Sequence, residues 1–364
     1  MAEQPKYLQV AETLRREIAN GVFRDGQTLM TEEDLRMRFN VSRQTVRQAI
    51  SLLEADGLVD RRRGSGTYVR HGPRHRSGPI HVAVITTYIT DYIFPNIVSG
   101  IESVLNENGC MMALSATYND PKLERTILER LLQYQPDGLI VEGARTARDN
   151  PNMDLYRQFV ERNIPMVFIN GFYDELKNVP HVVMDDYGGG RLAARELMRR
   201  GYRSLACVFK SDDRQGPERE RGFMDELSVY GLEIPPERIL HFTTEDRMNL
   251  FYQEKGRDFV RDICRKGAVD GLCCYNDAFA AGLVQVMSER GIRFPSDVGV
   301  ISFDNSSYAE MCHPGLTTFG HPKEAFGATA AEKLLRMIGG EKERSVNLSW
   351  TLVERDSLPA VIRK

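Results

Sequence analysis

Beyond residue 79 the chain repeats one pattern: a short apolar run, then a longer stretch whose apolar residues recur at helical spacing. The runs are Ile80 to Ile85, Gly138 to Val141, Pro165 to Ile169, Leu205 to Phe209, Gly271 to Cys274 and Val298 to Phe303. A strand buried on both faces reads as such a run, and a helix between two strands returns the chain so that the second lies parallel to the first. The pattern predicts parallel sheet with helices on both faces. There are too many units for one comfortable sheet, and 364 residues exceed one ordinary core, so two lobes are expected.

In such folds ligands bind beyond the carboxyl ends of the strands. Polar residues gather there: Tyr88 to Phe94 after the first run, then Glu142, Asn170, Lys210 to Asp213, Asn276-Asp277 and Asp304-Asn305. One polar residue after a strand is ordinarily a helix cap, and Asp91 and Asp277 are read that way. Several after successive strands point to a shared site. Asp and Asn accept and donate around the hydroxyls of a sugar, while Arg holds five donors in a fixed fork.

The chain before this body is organised differently. Leu8, Ala11, Leu14 and Ile18 share a face of a helix over residues 6–20, with Gly21 as its C-terminal cap. Thr31 and Asp34 have the spacing of a capping box, opening a second helix that buries Leu35 and Phe39 and ends near Asn40. Ser42 caps a third, which buries Val46, Ala49, Ile50 and Leu53, turns Arg43, Gln44, Thr45, Arg47 and Gln48 outward, and stops at Gly57. Leu58 to Asp60 and Thr67 to Val69 then read as strands of a basic hairpin across Arg61 to Gly66. Arg and Gln pair with guanine and adenine edges, each good pair giving roughly 1–3 kcal/mol of discrimination. The start of a helix suits a phosphate, and glycines at a hairpin tip let backbone approach a groove closely.

Charge agrees with this division. Residues 1–76 carry 14 Lys and Arg against 10 Asp and Glu, the remainder 34 against 41. A basic head on an acidic body suits a polyanion at one end only. Residues 70–79, RHGPRHRSGP, have the composition of a tether. No apolar run approaches the roughly 20 residues of a spanning helix, and MAEQPKYLQV has no apolar signal segment, so neither a membrane nor secretion is expected. The six cysteines lack C-x-x-C or Cys/His spacing, which argues against zinc and a disulfide framework and reads as reduced thiols in a cytoplasmic protein. No catalytic residue, metal site or cofactor is expected.

Residues 5–69 resemble the winged helix-turn-helix of the GntR family of bacterial repressors. The carriers are Leu29 to Glu32, Val41 to Ala49 (VSRQTVRQA), Leu53 to Val59 (LEADGLV) and Gly64 to Val69 (GSGTYV). Thr31 stands where that family usually has Ser, and it too can cap. The resemblance implies DNA contacts from Thr31, Glu32, Arg43, Gln44, Thr45, Arg47, Arg62, Ser65, Gly66 and Thr67, with Lys6, just before the first helix, as a backbone contact. About residues 80–360 resemble the periplasmic-binding-protein-like effector domain of the LacI family, through Gly100-Ile101-Glu102, Asp137 to Val141, Asp185-Asp186-Tyr187, Arg219 to Phe223, Tyr275-Asn276-Asp277 and Val300 to Asn305. This implies that Arg219, Asn276 and Asp304 bind sugar hydroxyls. The joining of such a head to such a body is similar to a family of arabinose-responsive repressors, with Tyr92 to Pro95, Phe209 to Asp213, Gln215-Gly216 and His321-Pro322-Lys323 as further carriers. It implies L-arabinose as the effector.

The expected fold class is therefore α/β: an N-terminal winged helix-turn-helix in residues 1–70, a linker in 71–79, and a two-lobed, type I periplasmic-binding-protein-like domain with parallel sheets in 80–364. The ligand site is expected to hold Tyr92, Phe94, Glu142, Asn170, Lys210, Arg219, Asn276, Asp304 and His321, with Phe94 or Tyr92 covering the apolar face of the sugar. Expected partners are near-palindromic operator DNA, the sugar, and a second copy of the chain in a homodimer. Gly188-Gly189-Gly190 reads as the entry to a closely packed helix, with a phosphate site, and hence a sugar phosphate effector, as the alternative. An activator, another sugar, and a sugar-converting enzyme using Asp277 and Asp304 as acid and base stay open.

Overall fold

The computed structural model describes residues 5–19, 22–23, 26–62, 65–69, 79–247, 250, 253–265 and 268–359. The expected Gly21 cap, Arg63 and Gly64 of the hairpin tip, and residues 70–78 of the tether lie outside them. Two compact units make up the chain, residues 1–80 with 336–342, and residues 81–335 with 343–364.

The first unit holds helices α1 (Lys6–Ala19), α2 (Glu32–Phe39) and α3 (Arg43–Ala55) and the antiparallel pair β1 (Val59–Arg62) and β2 (Gly66–Val69). Val10, Ala11, Leu14 and Ile18 meet Leu35, Val46, Ala49, Ile50 and Leu53 in one core, closed by Val59 and Val69. Val10 thus takes the place expected of Leu8, which is half-buried because its turn lies at the exposed start of α1. Thr31 caps α2 in a complete capping box with Asp34, and Asn40 ends it in the left-handed conformation. The Ser42 side chain accepts from the Thr45 N–H and opens α3. The hairpin strands run further toward the tip than expected, taking in Arg61 and Arg62, because β2 also pairs outward: Leu29 N–H donates to Thr67 O at 2.7 Å and Val69 N–H to Gln27 O at 2.7 Å.

The second unit contains two six-stranded sheets. One is built from β3 (His81–Thr86), β4 (Met111–Ala116), β5 (Gly138–Val141), β6 (Met166–Ile169), β7 (His181–Met184) and β13 (Val346–Leu348), in the order β13-β7-β6-β5-β3-β4, all parallel. The other comprises β8 (Leu205–Lys210), β9 (Ile239–Phe242), β10 (Gly271–Cys274), β11 (Gly299–Asp304), β12 (Thr317–Gly320) and β14 (Thr351–Val353), in the order β14-β12-β11-β10-β8-β9, with only β14 antiparallel. The first sheet is flanked by α4 (Phe94–Glu107), α5 (Pro121–Tyr134), α6 (Met153–Glu161) and α12 (Lys323–Ile338). The second carries α7 (Asp186–Arg199), α8 (Gln215–Val229), α9 (Glu254–Ile263), α10 (Asp277–Ser288) and α11 (Ser307–Met311). The chain crosses between the sheets after β7, after β12 and between β13 and β14. Helices α7 and α8 touch backbone to backbone, since a Cβ on Gly190 would lie 2.0 Å from Arg219 O and one on Gly222 2.0 Å from Tyr187 O. That close approach sets the position of Arg219.

Asp277 is not the cap it was expected to be. Asn276 caps α10 by accepting from Phe279 N–H at 3.1 Å, and Asp277, one residue on, is wholly buried. Its carboxylate accepts from the Ser302 hydroxyl, from Ser306 N–H at 2.7 Å and hydroxyl at 3.1 Å, and from the Thr318 hydroxyl at 2.7 Å. It therefore ties α10 to β11 and β12. Asp277→Ala strands these donors in the interior and is expected to lower unfolding free energy by about 3 kcal/mol. Urea denaturation checks this; a loss below about 1 kcal/mol would contradict the structural role.

Candidate functional site

Residues at the carboxyl ends of strands from both sheets line one cleft, and each of the three crossovers adds a side chain to it. All nine residues expected at the ligand site line it, together with Tyr88, Asp186, Asp213, Arg247, Tyr275 and Trp350 among others. Its interior volume is about 90 Å³. One water needs roughly 10–15 Å³ by that measure, so the space matches a group of several waters or one small polyol.

Arg219 lies at the centre, 4% exposed. Its Nε donates to Asp186 at 2.7 Å and one terminal nitrogen to Tyr275 O at 2.6 Å, while the other lies 3.6 Å from Asp304. The rings of Phe303, Trp350 and Tyr275 surround the guanidinium at 4.4, 4.9 and 5.1 Å. Burial opposes its charge, but Asp186 and Asp304 outweigh burial and hold its pKa above the usual arginine value. Burial pushes Asp186 up to about 7 in spite of Arg219.

Tyr92, in the left-handed region at φ 62°, spans the cleft from the first lobe. Its hydroxyl donates to Asp304 at 2.7 Å and accepts from Asp277 N–H at 3.3 Å. Phe94 begins α4 and packs on Tyr88, ring centres 5.6 Å apart. Glu142 accepts from Thr87 N–H and hydroxyl, both at 2.7 Å, and from the Asn170 amide at 2.7 Å. Burial raises it to about 7 even so. Lys210 pairs with Asp213 and lies 3.3 Å from Asp212; burial opposes its charge, but these carboxylates hold its pKa above the ordinary value. Asp91, expected as a cap, instead pairs across the cleft with Arg247, whose guanidinium lies 4.2 Å from the Tyr88 ring centre; Ile93 occupies the cap position of α4.

Several buried polar atoms in the lining have no protein partner: His321 Nδ1, Trp350 Nε1 and Gln215 Oε1. Buried polar atoms are ordinarily satisfied, so these mark hydrogen-bonding capacity reserved for something in the cleft. Burial lowers His321 to about 4 and keeps its ring neutral near neutral pH. Every cation of the lining is matched by a carboxylate: Arg219 by Asp186 and Asp304, Lys210 by Asp213, Arg247 by Asp91. Such a site favours an uncharged polyol over an anion. The glycine triplet gives no phosphate cradle either, because Gly188 N–H already donates to the Asp185 carboxylate at 2.9 Å and a Cβ on Gly189 would lie 2.6 Å from Trp350.

In the first unit, Arg43, Gln44, Arg47 and Gln48 are exposed on α3, with Thr45 half-buried beside them, and Tyr7 and Ser51 continue this concave face. Two carboxylates of α2 hold its arginines: Glu33 lies 3.2 Å from Arg43, and Glu32 2.9 Å from Arg47. Thr31 spends its hydroxyl on Asp34, at 2.6 Å. Lys6 is the exposed first residue of α1, where the helix predicted over residues 6–20 begins. Arg62 stacks over Tyr68 at 4.5 Å, and Ser65 bonds the Tyr68 hydroxyl at 2.6 Å, which together stiffen the hairpin near its tip. Gly66, at φ 117°, adopts a backbone conformation other residues rarely take, and Thr67 follows half-buried in β2.

The sequence matches the model for bacterial regulatory proteins of the gntR family over residues 6–69 and the periplasmic binding protein-like domain over residues 194–358. It is 36% identical over 355 residues to an arabinose metabolism transcriptional repressor of Geobacillus stearothermophilus, covering 97% of this chain and 96% of that one. The chain belongs to the family of arabinose metabolism transcriptional repressors. A second member, from Halalkalibacterium halodurans, is 34% identical over 362 residues, covering 98% and 95% of the two chains. Among solved structures, a periplasmic binding protein/LacI transcriptional regulator from Alkaliphilus metalliredigens, complexed with D-xylulofuranose, superposes with a TM-score of 0.66 at 26% identity, covering 76% of this chain and 98% of that one. The two sequence relatives are repressors and not enzymes, and the wholly buried Asp277 carboxylate is taken up by Ser302, Ser306 and Thr318 and does not line the cleft, so the acid–base pairing of Asp277 with Asp304 falls away. No helix among the described residues is long and apolar enough to cross a membrane.

Sequence reasoning did not assign the repressor's Asp186, Trp350 and Arg247 to the cleft. Asp186 begins α7 two residues after β7, whose short run Val182 to Met184 does not read as a strand; Trp350 enters between β13 and β14, strands of three residues each; and Arg247 follows the short edge strand β9. The one signal available was Trp350, the single tryptophan of the chain. The buried carboxyls also give the repressor a pH signature. Glu142, raised from 4.5 to about 7, and Asp186, raised from 3.8 to about 7, contribute stability that is fully present below their unfolded pKa values and is lost as pH rises through about 7. His321, lowered from 6.5 to about 4, contributes the reverse, present above 6.5 and lost as pH falls through about 4. Above pH 6.5 the carboxyl trend continues and His241, raised by its hydrogen bond to Glu220, adds a loss of the same sign, so the thermal midpoint is expected to fall between pH 6.5 and 8, and Glu142→Gln to make that fall shallower. Thermal unfolding across this range is the check; equal slopes in both proteins would contradict it.

Proposed function

We propose that the repressor acts as a cytoplasmic homodimer whose heads, residues 1–70, read a near-palindromic operator while its bodies, residues 80–364, bind L-arabinose or a closely related pentose. The observation that carries the effector reading is the cleft's chemistry: fully paired charges around Arg219, aromatic walls, and unpartnered His321, Trp350 and Gln215 atoms suit neutral hydroxyls on a small ring. Tyr92, Phe94, Glu142, Asn170, Lys210, Arg219, Asn276, Asp304 and His321 form its contacts, with Asn276 offering its amide N–H groups because its Oδ1 caps α10. The choice of L-arabinose rests on the names of relatives sharing 36% and 34% identity across nearly the whole chain.

In the head, Arg43, Gln44, Thr45 and Arg47 enter the major groove. Thr31, Glu32 and Lys6 flank the backbone, Glu32 chiefly by aiming Arg47, and Arg62, Ser65, Gly66 and Thr67 bring the wing alongside. A single head offers few base contacts, so two half-sites one or two turns of about 34 Å apart are the natural target. Sugar favours closed lobes, and closure alters the body dimer so that the heads no longer match both half-sites. To move such an equilibrium from 1:99 to 99:1 it must prefer the closed state about 10,000-fold. Calorimetry of the full chain against L-arabinose, D-xylose, D-glucose and a pentose phosphate tests the effector. Micromolar binding of L-arabinose with no heat from the phosphate is expected; the opposite order would overturn the reading.

A further inference from the structure

At the outer edge of the cleft the two lobes are joined by a second set of polar contacts made by residues outside the cleft lining, Asp213 excepted. The Asn119 amide donates to Asp213 at 2.9 Å and to the Thr244 hydroxyl at 2.6 Å. Arg145 pairs with Glu245. Arg214 N–H donates to the Thr146 hydroxyl at 3.0 Å, and Ala147 N–H to Asp212 O at 3.3 Å. Asn119, Arg145, Thr146 and Ala147 belong to the first lobe, their partners to the second.

The first-lobe side of this rim is built to hold its shape. Tyr118, Asn119 and Arg145 all sit in the left-handed region, at φ 50°, 59° and 51°, which non-glycine residues keep only where surroundings enforce it. The enforcement is visible. Asn119 Oδ1 accepts from Arg145 N–H at 2.7 Å, binding the two strained segments together. Beneath them Glu124, wholly buried, accepts from Ala144 N–H at 2.9 Å, the Asn150 and Asn152 amides at 2.7 and 2.8 Å, and the Tyr156 and Tyr173 hydroxyls at 2.8 and 3.0 Å. A buried carboxylate with that many donors around it fixes the loop from which Arg145, Thr146 and Ala147 reach across.

We propose that this rim is an interlobe clasp that sets effector affinity without touching the effector, with Asn119 as its central cross-lobe donor and Glu124 as the positioning residue beneath it. A ligand that needs closed lobes binds with an apparent Kd divided by the closed fraction, so a clasp that raises this fraction tightens binding in proportion. Asp213 connects the clasp to the cleft, because the carboxylate receiving Asn119 also pairs with Lys210. The clasp builds on the proposed effector reading, but its own existence is tested in the sugar-free protein.

The amides of Ala147 and Arg214 cross the rim and report it directly. Hydrogen exchange of the full chain without sugar is expected to speed up at both by about tenfold in Asn119→Asp, which keeps the acceptor for Arg145 N–H but turns the cross-lobe donor into a carboxylate facing Asp213. Amides of β5 and β10 should exchange as before. The Kd for L-arabinose should rise about tenfold in that variant and about threefold in Arg145→Ala, which removes the Glu245 pair and the guanidinium bond to Asn119 O. If Asn119→Asp also loses protection in β5 and β10, Arg145→Ala decides by the same criterion. Unchanged exchange at Ala147 and Arg214 overturns the clasp, whatever the sugar does. Faster exchange in a protein whose wild type ignores L-arabinose upholds the clasp and overturns the effector reading.

Discussion

Arg219→Ala is expected to leave a repressor that occupies its operator and no longer answers to L-arabinose. The guanidinium is buried, donates to Asp186 at 2.7 Å and to Tyr275 O at 2.6 Å, and holds Asp304 at 3.6 Å for the hydroxyl of Tyr92. Removing it leaves buried carboxylates unpaired, a loss of about 3–5 kcal/mol, enough to weaken a micromolar ligand by two to three powers of ten. Part of that loss falls on folding rather than on binding. Arg219→Lys, which keeps the charge and gives up the fork, separates the two: it should fold near normally and still bind L-arabinose at least tenfold more weakly. Calorimetry for the sugar and operator binding with and without it measure both halves. Ordinary release of DNA by L-arabinose in Arg219→Ala would remove this residue from the effector site.

The second large effect lies in the other unit. Arg43 is 68% exposed at its side chain and tied only to Glu33, at 3.2 Å, among the described contacts, so its removal should leave the fold alone. If it reads a base edge, Arg43→Ala costs roughly 1–3 kcal/mol per head, and a dimer loses this twice. Specific operator binding should then fall by a factor of about 30 or more, while non-specific binding at low salt falls far less. L-arabinose affinity should stay within a factor of two of wild type. Equal loss of both activities would contradict the independence of reader and sensor, and undiminished operator binding would take Arg43 out of the groove.

What the sequence disclosed follows from how each element is buried. The central strands β3, β5, β6, β8, β10 and β11 are covered on both faces and read as continuous apolar runs, whereas β7 and β12, just as buried, are interrupted by His181 and by Thr317-Thr318 and do not. Strand β4 at the sheet edge, MMALSA, is buried only on alternate or partial faces, and β13 and β14 are three residues each, so none of them announces itself. Caps divide the same way. Thr31 and Ser42 act as local spacing says, because a cap answers to its own next turn. Asp91 and Asp277 do not, because their partners lie 156 and 25 or more residues away, at Arg247 and at Ser302, Ser306 and Thr318. The ligand residues at strand ends were accessible to topology alone, whereas Asp186 and Trp350 needed the crossovers, and the Asn119 clasp needed both lobes in place.

In the proposed function one chain couples a pentose in the cleft to release of a duplex by the head. Its most direct test is a titration of L-arabinose into full-length repressor bound to a duplex carrying its near-palindromic site, followed by fluorescence anisotropy at fixed salt. Release of the duplex is expected over the same micromolar range in which calorimetry shows the sugar binding, with D-glucose inert. Anisotropy that stays flat while the sugar saturates the protein would contradict it.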